Sequence, residues 1–283
     1  MLGLLWLIVH LPGRMAIGRM LGRVLVRVLP YRGRIIAHNL ALAMPEWDDA
    51  ARARLARDVA ENIGVGVVET GMAWFWSDKA LQRITRFSAD SEALRLVQSD
   101  EAVVLAGSHN TLLELGMRLL SFYIEAAGMY RPLRDPFFDS VIYRHRSRLA
   151  KEMVNFRDMR STLRVLKAGG NIWYALDQDM GERVSVFAPF FGLPAASVDI
   201  VPQLHQRTGA HLVPVFMWRE ADGYYSVRLA APIAVQGRDS VAIMTEFNAL
   251  LEKEVRAHAG QYFWVHRRFK TRPDGQAQAY PHK

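Results

Sequence analysis

Residues 102–116 read AVVLAGSHNTLLELG and place His109 and Glu114 five positions apart, just after an apolar run. An imidazole with one ring nitrogen held by a carboxylate keeps a fixed tautomer and offers the other nitrogen as a general base. Such a base can take the proton from a hydroxyl attacking a thioester, an effect of roughly 10²–10⁴ in rate. Within one helix the two residues would sit about 140° apart, too far round to touch. With His109 in the turn ahead of the helix, its ring is expected to fold back and meet Glu114. The same spacing also allows a plain strand-end histidine beside an unrelated surface glutamate. Ser108 does not lie in a Gly-x-Ser-x-Gly elbow, so it reads as a turn residue.

Oxyanion chemistry needs cationic or N–H donors. The cluster Arg144/Arg146/Arg148 is one source, and a solvated basic helix face is the alternative. Asp177 and Asp179 follow the run NIWYAL. They are placed either to bind Arg148, to orient polar groups of an acceptor, or to form the turn before Gly181. No third ligand accompanies them, so no metal is expected. Further on, His266-Arg267-Arg268-Phe269-Lys270-Thr271-Arg272 concentrates positive charge that suits phosphates, carboxylates or an acidic carrier. A solvated tail or a headgroup-binding strip is the other reading of that stretch. Basic residues interleaved with aromatics also suit nucleic acid, but no nucleic-acid motif is recognisable and that partner is set aside.

The elements that must hold these residues alternate. Strands are expected at 102–106, 127–130, 171–176, 211–218 and 224–229, from their β-branched and aromatic content. Helices are expected at 112–124, 136–150, 158–168, 197–207 and 240–258. This alternation predicts an α/β fold with a central, mostly buried sheet flanked by helices. Catalytic groups in such folds gather at the carboxyl ends of strands, where His109 and Asp177 both fall. Residues 46–76 read as a further helix ending in GMAWFW, whose aromatics Trp74, Phe75 and Trp76 suit core, an interfacial belt or a lipid contact. The tail after Pro273 reads as frayed.

The chain opens on MLGLLWLIVHL, then Pro12-Gly13. Eleven helical residues reach about 17 Å, short of the roughly 30 Å hydrocarbon core. From Arg14 to Leu29, Arg19, Arg23 and Arg27 recur every four residues on one face, with apolar residues elsewhere. This is expected to be a basic amphipathic helix on a membrane surface with anionic lipids, or an ordinary helix packed through its apolar face. Basic residues follow the apolar run instead of preceding it, which argues against export. The domain expectation is a membrane-anchoring segment at 1–30 and one α/β domain at 31–283.

His109-x4-Glu114 after a hydrophobic strand resembles the His-x4-Asp/Glu signature of the lysophospholipid and glycerol-3-phosphate acyltransferase superfamily. GMAWFW, HNTLLELG, MYRPLRDPFFD, WYALDQDMG, VFAPFFG and HRRFKTRPDG together resemble the late acyltransferases of lipid A biosynthesis, over nearly the whole chain. The Leu-Glu-Leu-Gly ending and GMAWFW look more like the lauroyl-type branch than the myristoyl-type. The resemblance implies a glycerol-3-phosphate acyltransferase-like fold and an acyl–acyl carrier protein donor. It also implies a Kdo-lipid IV(A) acceptor, acylated on the hydroxyl of a primary 3-hydroxyacyl chain at the cytoplasmic face of the inner membrane. By resemblance His109 is the general base, Glu114 its orienting partner, and Arg148 falls at the family's central arginine. Arg131, Arg148, Asp177, Asp179, Arg267, Arg268 and Lys270 are taken as substrate-binding. Asp135 departs from the family, which usually has Asn in Arg-Pro-x-x-Asn-Pro. Other readings are acylation of a different glycolipid or glycerolipid, and a non-catalytic basic membrane-surface binding protein.

Bulk composition fits these readings. At 51% hydrophobic, the 283 residues can bury a sizeable core. The absence of cysteine removes thiolate nucleophiles and Cys-based metal sites, so any thioester must be external. A net charge of +8 points to anionic partners. No cofactor is implied.

Overall fold

The computed structural model describes residues 2–273, 276 and 280; the expected fraying after Pro273 falls mostly outside these residues. The chain begins with helices α1 (Leu2–His10), α2 (Arg14–Val28), α3 (Pro30–Ala43), α4 (Asp49–Phe75) and α5 (Asp78–Gln82). Strand β1 (Thr85–Ala89), helix α6 (Ser91–Gln98), strand β2 (Val103–Gly107) and helix α7 (Leu113–Leu120) follow. Then come β3 (Ala127–Tyr130), α8 (Pro136–Arg146), β4 (Met153–Asn155), α9 (Met159–Lys167) and β5 (Asn171–Ala175). The last part holds β6 (Ser185–Phe190), β7 (Leu193–Val198), α10 (Val201–Thr208), β8 (His211–Arg219), β9 (Tyr225–Leu229) and α11 (Ser240–Ala257).

One sheet runs in the order β1-β9-β8-β2-β5-β3-β4, with every neighbouring pair parallel except β8 and β9. Parallel strands have both faces covered, which is why β2 is buried at all five positions and its sequence is uniformly apolar. Side chains alternate across it. Val104 and Ala106 join one core with residues of α9, α10 and α11, while Val103 and Leu105 join the other with residues of α6 and α7. Helix α4 contributes to both cores, Leu55 and Val59 to the first and Val68 and Met72 to the second. The α/β architecture with a mostly parallel central sheet between helices is the one expected.

Helices α3, α5 and α6, two edge strands and a hairpin were not foreseen. Edge strands β1 and β4 are short and only partly buried, so they lack the apolar run that marks an inner strand. Residues 185–198 form a separate antiparallel hairpin, so the expected helix at 197–207 starts only at Val201. The hairpin turns at Phe191-Gly192, both with positive φ (51° and 72°), the backbone twist that two-residue hairpin loops require. A phenylalanine in that region is strained, and Glu252 helps hold it there by accepting the Phe191 N–H at 2.7 Å.

Helix α2 packs on α4 through glycine, not through its large apolar residues. A Cβ on Gly22 would lie 2.0 Å from the Ala60 carbonyl oxygen, and one on Gly64 would lie 2.0 Å from that of Gly18. Such close backbone approach needs small residues at the crossing. Met20, Val24 and Val28 are left exposed on the outside. Arg23 donates to Glu61 of α4 at 2.8 Å, and Arg19 lies 3.9 Å from the same carboxylate. The three aromatics of GMAWFW are half-buried at the end of α4. Trp74 stacks on His145 of α8, and the Trp76 indole donates to the Val9 carbonyl of α1. Asp135 caps α8 by accepting the Phe138 N–H at 3.0 Å, a role that Asn fills equally well.

Candidate active site

Strands β2 and β5 are neighbours in register, Gly107 opposite Ala175. Two residues beyond each strand end stand His109 and Asp177, and the parallel pairing sets them side by side. Asp177 is buried and accepts twice from His109, from its backbone N–H at 2.9 Å and from ring Nδ1 at 2.7 Å. An ionised carboxylate only accepts, so the proton of the neutral ring sits on Nδ1 and Nε2 is left as the base. Burial works to raise the Asp177 pKa. The His109 ring in its protonated form, two hydrogen bonds from His109 and the charge of Arg268 outweigh burial and hold the carboxyl below its usual range.

The loop carrying His109 is fixed from three sides. Asn110 is buried, donates to the Met217 carbonyl of β8 at 2.8 Å and accepts from the Leu112 N–H that opens α7. Segment 261–263 clasps the loop through Thr111 N–H to Gln261 O at 2.9 Å and Phe263 N–H to His109 O at 3.2 Å. Below it, the Trp173 ring packs against Gly107, where a Cβ would lie 2.5 Å from the indole nitrogen. A side chain at position 107 would therefore displace this ring from the site.

The expected contact between His109 and Glu114 is replaced by another. Glu114, in the first turn of α7, turns toward α8, where both Nε (2.9 Å) and Nη2 of Arg146 donate to its Oε1. The ring-orienting carboxylate comes from Asp177 because the sheet delivers it beside Nδ1. Of the Arg144/Arg146/Arg148 cluster, Arg146 is the one paired with Glu114, while Arg148 is exposed and has no ion pair among the described residues. Asp179 also does not meet Arg148. It accepts the Gly181 N–H at 3.0 Å, which closes the turn, and the Thr271 N–H at 2.6 Å and hydroxyl at 2.8 Å, which tie that turn to the distant 271 segment. Arg268 is buried and donates to Ala196 O at 2.6 Å and Ser197 Oγ at 2.9 Å, so from this position it reaches no external phosphate. Arg267 lies over the Tyr31 and Tyr280 rings, and Lys270 is exposed. Arg131 is exposed, over the Phe156 ring at 5.4 Å.

His109 opens into a cavity of about 240 Å³, also lined by Arg131, Arg146, Phe156, Trp173 and Gln178. From it a narrow, largely apolar seam runs between α7 and the 149–153 segment, past Leu113, Met117, Leu120, Ile124 and Ala150. A fixed imidazole base, a guanidinium on the cavity wall and an adjoining apolar seam make a place for proton abstraction next to a hydrocarbon chain.

The family model for bacterial lipid A biosynthesis acyltransferases matches residues 1–271. The chain belongs to that family. This lipid A biosynthesis acyltransferase is 35% identical to the lipid A biosynthesis lauroyltransferase of Escherichia coli (strain K12), over 99% of this chain and 93% of that one. Its identity to the lipid A biosynthesis palmitoleoyltransferase of the same organism is 33%, over 99% and 92% of the two chains. A more distant likeness is to the crystal structure of the 1-acyl-sn-glycerophosphate acyltransferase PlsC from Thermotoga maritima. It covers 87% of this chain and 97% of that one, with a TM-score of 0.39 and 14% identity.

Three side chains around the candidate site were passed over in the sequence. Asn110 and Tyr262 carried no expectation from the sequence, and His266 read as part of a basic strip. The Tyr262 hydroxyl is fully buried beside Asp177, and burial first, then that carboxylate, push its pKa well up. His266 Nε2 accepts the Asp179 N–H at 3.1 Å. Burial, the largest cause, depresses the His266 pKa to about 4. An imidazole in the unfolded chain titrates near 6.5, so the unfolded chain takes up this proton first as pH falls. The stability due to neutral His266 is therefore complete above about pH 6.5 and lost between there and about pH 4, roughly 3 kcal/mol in all. Thermal melts at about pH 7.5 and 5 should show a larger loss for wild type than for His266→Gln. Equal losses would contradict the assignment.

Proposed function

We propose that this acyltransferase moves a fatty acyl chain from acyl–acyl carrier protein to the hydroxyl of a primary 3-hydroxyacyl chain on Kdo-lipid IV(A). The observation that carries this reading is the His109 imidazole, pinned by Asp177 at 2.7 Å, at the mouth of an apolar seam. His109 Nε2 takes the proton of the acceptor hydroxyl as its oxygen attacks the thioester carbonyl carbon. The carbonyl oxygen becomes an oxyanion, and the Arg146 guanidinium held by Glu114 is the cation on the cavity wall that stabilises it. The C–S bond then breaks, the imidazolium returns its proton to the departing thiolate, and the products are an ester and the free carrier thiol. Asp177 keeps the ring oriented throughout and stabilises its charged form.

The setting of this chemistry is the cytoplasmic face of the inner membrane, with residues 1–30 as the membrane-facing part of the chain and 31–283 as the catalytic unit. No helix among the described residues is long and apolar enough to cross a bilayer. Leu4, Trp6 and Leu7 of α1, Met20, Val24 and Val28 of α2, and Phe137 and Phe138 of α8 are exposed. Exposed apolar side chains beside Arg27 suit a helix pair lying in the headgroup region. Glu61 already offsets part of the charge of Arg19 and Arg23, so the apolar residues are assigned the larger share of binding. Trp6→Ser combined with Phe137→Ser is expected to weaken sedimentation with anionic vesicles about tenfold, with no change in melting temperature. Unchanged sedimentation would contradict this placement.

The function itself is tested with labelled lauroyl-, myristoyl- and palmitoyl-carrier protein and purified acceptors. A Kdo-lipid IV(A) product carrying one more acyl chain is expected. Acylation of a glycerolipid alone would overturn the acceptor assignment.

A further inference from the structure

The cavity at His109 does not end in the acyl seam alone. A second arm leaves it on the other side of Met129 and Trp173, continuous with it through Phe156, Tyr174, Met180 and Val198. This arm encloses about 350 Å³, within the range of ligand-holding pockets, and runs on past Met159, Ile200 and Leu204 toward α10. The two arms differ in width and in charge. The seam is narrow, and its one cation, Arg146, is already paired with Glu114. The second arm is wider and carries Arg157 and Arg183, both exposed and without an ion pair among the described residues. Its single carboxylate, Asp199, already accepts from the Ser240 hydroxyl.

The acyl-transfer reading above, on which this inference rests, brings two hydrocarbon-bearing substrates to one imidazole. A hydroxyl carried part-way along a chain can reach His109 only if the rest of that chain continues past the base, and the donor's chain must lie elsewhere. We propose that the narrow seam receives the donor's acyl chain and that the second arm receives the acceptor's own hydrocarbon chain. Arg157 and Arg183 meet the anionic groups of that acceptor. The uncharged donor chain matches the seam that has no free cation, and the anionic lipid matches the arm that has two.

Gln203→Trp and Met159→Trp fill the second arm from exposed positions, and the pair Arg157→Ala/Arg183→Ala removes its cations. In detergent micelles with carrier-protein donors and Kdo-lipid IV(A), each is expected to raise the acceptor KM about tenfold, with donor KM within about twofold of wild type and the donor chain-length order unchanged. Leu120→Phe, in the seam, is expected to shift preference toward shorter donors and leave the acceptor KM alone. The arginine pair lies on the surface and keeps the test open if a tryptophan variant does not fold. A changed donor length order in the second-arm variants, or a wild-type acceptor KM in the folded arginine pair, overturns the proposal. If wild type acylates only a glycerolipid, the acceptor named above falls, and the same KM comparison made with that glycerolipid still decides the arm.

Discussion

Asp177→Asn is expected to lower kcat by about 10³–10⁴ while leaving the fold and the acceptor KM close to wild type. The carboxylate accepts two hydrogen bonds from His109, one from its backbone N–H and one from Nδ1. An amide has one accepting oxygen for those two donors, so one bond is lost or the ring turns to its other tautomer with Nε2 protonated. The negative charge that stabilises the imidazolium during attack also disappears. Asn is nearly the shape of Asp, which keeps the loop packed and makes kcat the reporter. A kcat within about tenfold of wild type would mean that Asp177 only props the loop.

Glu114→Ala is expected to reduce kcat by about 10²–10³ through the loss of a fixed Arg146, and Arg146→Ala by a similar factor. The informative variant is the double one. If Glu114 acts by holding the guanidinium, removing it from an enzyme that already lacks Arg146 should cost little more, so the two effects will be far from additive. If Glu114 instead orients His109 directly, the double variant should lose the full product of the two factors. A double-mutant cycle in kcat, with melting temperatures alongside, separates the two cases.

The contrast between these carboxylates shows what was legible before the structure. Strands β2 and β5 announce themselves by AVVLA and NIWYA, and His109 and Asp177 can each be placed just past a strand end from sequence alone. The order of strands in the sheet cannot, because parallel strands 68 residues apart leave no local pattern that says they pair. That order makes Asp177 the partner of His109. Glu114 is close in sequence and so looked like the natural partner, but the first turn of α7 faces α8, and that packing brings in Arg146. The expected helix at 136–150 ends at Arg146, and Arg148 falls in the turn beyond it, where helical periodicity no longer says which way a side chain faces. Arg268 teaches the same lesson. In sequence it belongs to a basic strip, yet it is buried on Ala196 and Ser197 of the hairpin, an element whose existence depends on the strained Phe191-Gly192 turn. The α2 helix was read through its arginine period, whereas its packing is decided by Gly18 and Gly22.

The most direct test of a His109-based acyl transfer onto a lipid A precursor compares wild type with His109→Ala, using labelled acyl–carrier protein and Kdo-lipid IV(A). The expected result is product from wild type and a rate about 10²–10⁴ lower from the folded variant. Product from His109→Ala at a rate near that of wild type would contradict the account, because no base would then be needed at that position.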